Sequence, residues 1–188
     1  MKKLLLLCCL LCLGAPVSRA QDLWTTETGI VHINASTPLE DIDATNDRVN
    51  AILRHGDGAF AVVMLIPEFR FRRKLMQEHF NENYMESDKF PKATFSGKIS
   101  GHADMAPGDT RQCRIAGTLT VHGVARERVV EAEIRRTPRG WRIHSDFTVR
   151  TADHDIDIPK IVFTKIAEEV AVSLDFDLDS EKDSGPGE

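Results

Sequence analysis

RQCRIAGTLTVHGVARERVVEAEIR, residues 111–135, decides the fold. Up to Val121 the chain alternates. Cys113, Ile115, Gly117, Leu119 and Val121 fall on one side, with Gln112, Arg114, Thr118 and Thr120 on the other. A period of two marks a half-buried β-strand. His122-Gly123 breaks the alternation, and residues 126–135 form the return strand. The result is a long antiparallel pair joined by a tight turn.

The same period extends outward from this pair. Ile30-Val31-His32-Ile33 opens a first strand region. Thr37-Pro38, with Leu39 and Ile42 beyond it, reads as a helical turn, and Asn46, Asp47 and Asn50 as a polar connection. His55-Gly56-Asp57-Gly58 is a turn, followed by the apolar strand 60–66. Residues 68–72 alternate, with Phe69 and Phe71 on one face. Residues 93–99 form a strand with Gly97 as a candidate bulge. Beyond the opening hairpin, Trp141, Ile143, Ser145, Phe147 and Val149 share one face. Residues 161–164 and 170–178 complete the pattern. The exception is 74–85, which lacks Gly and Pro and carries Leu75, Met76, His79, Phe80 and Tyr84 at helical spacing. It predicts one short amphipathic helix. Seven or eight strands with short connections describe an all-β domain, a sandwich or a closed antiparallel barrel. Closure removes exposed edges, and about eight strands enclose a filled core or one small ligand.

The N-terminus reads as a secretory signal. Lys2-Lys3 precedes an apolar run, residues 4–13, too short to span a bilayer, and Ser18-Arg19-Ala20 offers small residues for cleavage after Ala20. The expected mature domain covers 21–178, and 179–188 reads as an acidic, disordered tail. No transmembrane segment is expected in the mature chain, and periplasmic or secreted localisation follows. Without the basic residues of 1–20, 21 Lys and Arg face 29 Asp and Glu, a formal charge of −8. That sign argues against a nucleic-acid partner. Arg70, Arg72, Arg73 and Lys74 form one local basic patch, read as a solvated edge. Cys113 is the one cysteine left, on the apolar side of its strand, and reads as a buried thiol.

Chemistry-bearing patterns are weak. His79 with Glu78 and Glu82 on the predicted helix does not complete a zinc shell, and no metal site is expected. Asp153, Asp155 and Asp157 alternate but lack the glycine and terminal glutamate of a calcium loop. No Gly-x-Ser-x-Gly elbow, Cys–His pair or glycine-rich phosphate loop occurs. No catalytic residue or cofactor is therefore assigned, and the chain is not expected to be an enzyme. The interior faces are rich in Val, Ile, Leu and Phe with small residues at Gly97, at Ala116 or Gly117, and at Ser145. These either open space for a ligand or accommodate strand curvature.

Two stretches taken together resemble a known family. DKFPKATF, residues 88–95, and AGTLTVHGV, residues 116–124, are similar to segments of the YceI-like family of exported lipocalin-like proteins, and the preceding helix fits. The resemblance runs from about residue 29 to 178. It implies a single elongated antiparallel β-barrel with a helix near one end. It also implies non-enzymatic binding, storage or transport of an apolar molecule, isoprenoid-, quinone- or lipid-like, inside the barrel. Phe60, Val62, Phe69, Phe71, Phe95, Leu119, Phe147 and Phe176 are the expected tunnel residues, with Phe80 and Tyr84 facing the interior from the helix. A homodimer is compatible with this reading. The alternative function is a structural or stress-related barrel whose core is filled by side chains; a metal-dependent enzyme ranks below both.

Overall fold

The computed structural model describes residues 23–158 and 166–180. The predicted leader and its cleavage point, the strand read at 161–164 and residues 181–188 of the expected tail lie outside these.

The chain folds into β1 (Leu23–Asn34), β2 (Asp43–Arg54), β3 (Ala59–Leu65), β4 (Arg70–Phe71), α1 (Lys74–His79), β5 (Lys92–Ser100), β6 (Thr110–Val121), β7 (Val124–Arg136), β8 (Gly140–Arg150) and β9 (Glu169–Ser180). The strands run in the order β1-β9-β8-β7-β6-β5-β3-β2, every pair antiparallel, and β1 pairs with β2 to close the barrel. β4 is a two-residue strand on β2. It pairs at Ala44 and Thr45, while β3 occupies the same edge at residues 50–54. A 3-10 turn at Ile66–Glu68, with Pro67 in its first turn, separates the two.

The hairpin that opened the sequence argument is continuous from Thr110↔Arg135 to Val121↔Val124. His122 and Gly123 both have positive φ, 50° and 74°, as a two-residue hairpin turn that matches strand twist requires. Phe90 brings the two family-like stretches into contact. Its ring packs on His122 at 4.5 Å, and a Cβ on Gly123 would lie 2.7 Å from it.

Several local expectations are corrected. β1 begins at Leu23, ahead of Ile30. Thr37-Pro38 starts no helix. Thr37 and Glu40 exchange backbone hydrogen bonds across a tight turn, N–H to O distances 3.0 and 3.3 Å. Asn46, Asp47 and Asn50 lie within β2, not in a connection. Asp47 and Asn50 are exposed, and Asn46 is accommodated where the β1–β2 register slips between Gly29↔Val49 and Val31↔Asn46. There buried Asn46 supplies its own partners: Nδ2 donates to Leu65 O at 3.0 Å and Oδ1 accepts from Arg48 N–H at 2.9 Å. Gly97 is no bulge, since its pairings with Phe60 and Gly117 keep register on both sides. Gly97 and Gly117 instead let β5 and β6 approach closely: a Cβ on Gly117 would sit 2.8 Å from the Phe95 ring and collide with Gly97. β9 runs to Ser180, two residues into the stretch read as tail.

The interior is packed unequally. At the end holding the β2–β3 turn and the β7–β8 turn, Trp141, Leu53, Ile134, Ile143 and Leu178 are at most 1% exposed. Arg136 is held between two indoles, its guanidinium carbon 4.6 Å from the Trp24 ring centre and 4.8 Å from that of Trp141. His55 and His102 pack on Trp141 with ring centres 5.2 and 5.9 Å away. This end is plugged. The opposite end carries the helix and the site.

Candidate functional site

The segment from Arg73 onward leaves β4 and crosses the open end of the barrel. α1 is only six residues long, with no side-chain cap at its N-terminus, and Lys74 and Glu78 pair at i,i+4 (3.6 Å). After His79 the helix widens into a π turn, Phe80–Tyr84, in which Met85 N–H reaches back to Phe80 O (2.9 Å). Such widened turns redirect side chains and concentrate at functional positions. Here Phe80 meets the Phe71 ring at 4.9 Å and the Phe69 ring at 5.7 Å. The alternation read across Phe69 and Phe71 therefore serves to seat the helix, although only Arg70–Phe71 is strand.

Beneath this cap lies a cavity of about 480 Å³. Val31, Met64, Leu119, Phe147 and Val172 line both it and a smaller, deeper compartment of about 50 Å³. Of the residues expected from sequence, Phe69, Phe71, Phe80, Tyr84, Leu119 and Phe147 line the upper cavity. Phe60, Val62, Phe95 and Phe176 line the lower one, again with Leu119 and Phe147. Phe60 links Phe95 and Phe176, its ring centre 6.3 Å from each. Sequence reasoning centred on aromatics and missed much of the aliphatic wall. Val31, Met64, Val170 and Val172 were findable from strand parity. Ile156 and Ile158 alternate with acidic residues in a stretch read as a polar loop, and Ile166, also from the long β8–β9 connection, stands outside any periodic run.

The mouth is polar and tied down. Glu40 and Arg73 line it and form an ion pair at 2.6 Å between the β1–β2 turn and the helix entry. After the π turn, Glu86 takes a left-handed conformation (φ 40°). Its carboxylate pairs with Lys89 and lies 3.3 Å from His122 Nε2. Lys89 first, and His122 in addition, hold Glu86 below the usual carboxylate range. His122 Nδ1 is 3.2 Å from His154 O, and buried His154 places Nδ1 3.0 Å from Val124 O. The cap, the β6–β7 turn and the 3-10 turn Thr151–His154 are thus linked through one polar chain. Burial raises the Tyr84 phenol above its ordinary value, keeping it protonated on the cavity wall.

Burial likewise raises the Cys113 thiol, which disfavours a reactive thiolate. Asp153 is held by Arg150 at 2.7 and 3.2 Å. Among the described residues no group of three or more His, Cys, Asp or Glu could hold a metal ion. Among them, too, no helix is long and apolar enough to cross a membrane.

A family model described as the YceI-like domain matches residues 24–178. The chain belongs to the YceI-like family. Solved structures place the fold of this family member beside others at low identity. A polyisoprenoid-binding domain from Saccharophagus degradans, implicated in plant cell wall breakdown, superposes with a TM-score of 0.73 at 14% identity. The match covers 85% of this chain and 99% of that one. Burkholderia cenocepacia BcnA gives 0.66 at 14% identity, covering 80% and 94%. The Campylobacter jejuni YceI protein gives 0.57 at 16% identity, covering 72% and 82%. No curated protein matches in sequence.

Proposed function

We propose that this YceI-like barrel binds a long apolar molecule, of isoprenoid, quinone or other lipid class, and stores or carries it without chemical change. The observation that supports this most is the shape of the core: one end is sealed by side chains, while the other holds an apolar cavity of about 480 Å³ under a helix. That volume falls in the usual range for small-molecule sites, roughly 300–1,000 Å³. Each methylene buried contributes about 0.8 kcal/mol before the cost of ordering the chain. The likeness to a polyisoprenoid-binding domain agrees with this class of ligand. The charged leader and short apolar run of residues 1–20 support work in the periplasm or outside the cell; intact mass of the recovered protein should then begin at Gln21. Native mass spectrometry followed by denaturing lipid extraction tests the binding. An apolar mass released on unfolding is expected. Protein that is always empty, and takes up neither isoprenoids nor quinones from detergent, removes this reading in favour of a barrel without ligand.

A further inference from the structure

The cap is tied to the barrel wall at its exit by a single histidine. Glu86, in its left-handed conformation (φ 40°), ends the segment after the π turn. The N–H groups of Lys89 and Phe90 both bond its carbonyl, at 2.8 and 2.9 Å, which fixes where its side chain starts. That side chain faces His122 on the β6–β7 turn.

Both nitrogens of His122 face acceptors. Nδ1 lies 3.2 Å from the His154 carbonyl oxygen, and Nε2 lies 3.3 Å from Glu86 Oε2. A neutral imidazole carries one N–H, so it satisfies one of these oxygens and turns a lone pair on the other. The imidazolium satisfies both. The His122 side chain is only 11% exposed, and the edge of the Phe90 ring packs on it at 4.5 Å, so little of the ring is open to water. The contact pattern is complete only with two ring protons.

The other charges around the ring are already engaged or exposed. Lys89 takes the second oxygen of Glu86. On the 3-10 turn, Asp153 is held by Arg150, and Asp155 is exposed. On β7, Arg126 and Glu127 are exposed, and Glu127 accepts from Thr118 at 2.7 Å. His154 is fully buried, with Nδ1 3.0 Å from Val124 O and no protein partner at Nε2 among the described residues. A second proton there would be unmet and would work against closure at acid pH. On the cap itself, His79 is exposed at the end of α1.

We propose that His122 is a proton-operated latch on the cap: as the imidazolium it joins Glu86 to the His154 carbonyl and holds the cap shut, and on losing a proton it lets Glu86 go and the cap lift from the mouth. Histidine changes charge between pH 5 and 8. The closed state binds the extra proton, so rising pH favours the open one, by up to about tenfold per pH unit for one proton released. The use of this latch in ligand exchange rests on the reading that the cavity takes an apolar chain; the latch itself does not.

Amide hydrogen exchange on the exported chain from pH 5.5 to 8, corrected for intrinsic rates, tests the latch without ligand. The reporters are the N–H groups of Met85 and Ser87, which bond Phe80 O and Asn81 O at 2.9 and 2.8 Å. Their protection should fall at least threefold across the range. Glu86→Gln offers an N–H to the neutral ring and an oxygen to the charged one, so the profile should level. Protection that ignores pH in the unaltered protein overturns the latch. So does a profile that survives Glu86→Gln, or one that disappears with His79→Gln. Nitrogen NMR of the His122 ring gives a second readout: an imidazolium in the protected cap supports the latch, and a neutral ring in an equally protected cap refutes it. Release of a preloaded isoprenoid to acceptor vesicles should quicken with pH in step with exchange; if it does not, the latch holds the cap but not the exit route. If no isoprenoid binds at all, the proposed function falls, and the exchange profile still decides the latch.

Discussion

Single residues show how the wall is built and how it titrates. Gly117 faces inward beneath the Phe95 ring, which covers the strip that a side chain would otherwise fill. Gly117→Ala places a methyl against the β5 backbone, so overpacking should cost about 1–3 kcal/mol, read as a lower urea midpoint with unchanged slope. On the outside, His144 sits between Asp175 (2.9 Å) and Asp146 (3.1 Å). Asp175, chiefly by its hydrogen bond, raises the His144 pKa above its ordinary value. A group whose folded pKa is raised gives stability that is complete below its unfolded value and lost as pH rises through the folded one. With an unfolded value of about 6.5, the stability advantage of the native chain over His144→Gln should be fullest near pH 5.5. It should decay on the alkaline side, and urea melts at several pH values check this. An advantage that grows with pH would contradict the assignment.

Among the elements, the cap is the least securely built. It has six α-helical residues and a π turn, and no residue of either is fully buried. Its hold on the barrel rests on Phe80 against Phe69 and Phe71, on the Glu40–Arg73 pair at its entry and on the Glu86–His122 contact at its exit, so few contacts must part for it to move aside. Phe80→Ala should speed release of a preloaded isoprenoid at least severalfold while melting changes little, measured as transfer to acceptor vesicles. Unchanged release would show that exchange does not pass the cap. The strands were legible from sequence because half-buried strands must alternate, and the helix because 74–85 shifts to helical spacing without Gly or Pro. The misreadings have physical causes. Pro38 serves a tight turn as readily as a helix start. Asn46 satisfies itself inside a bulge, so its polarity does not signal a loop. Leu119, Phe147 and Phe176 were legible as one face of their strands. The incomplete pairing of β7 with β8 was not, because two neighbouring alternating strands look the same whether or not they bond.

Over the whole molecule, the two ends divide the tasks of stability and capacity. Trp141, at 1% exposure, anchors the plugged end together with Leu53, Ile143 and Leu178. Trp141→Ala should cost about 3–5 kcal/mol, as large aromatic truncations in packed cores do. The open end obeys different arithmetic. Val172 lines both compartments, and empty space stands before it. In a filled core, Val172→Trp would be overpacked and lose about 1–3 kcal/mol. In a true cavity the indole has room, gains apolar contacts and leaves stability level or higher. The same substitution should remove most uptake of an offered isoprenoid, because it takes up the volume that the chain would occupy. Denaturant melts and uptake measured on the one variant thus separate two pictures of the barrel. Stable and unable to bind means that the space is a ligand chamber. Destabilised and still unable to take up ligand, in a background that takes up none either, means that the core is closed in solution and the family fold is used here as a solid support.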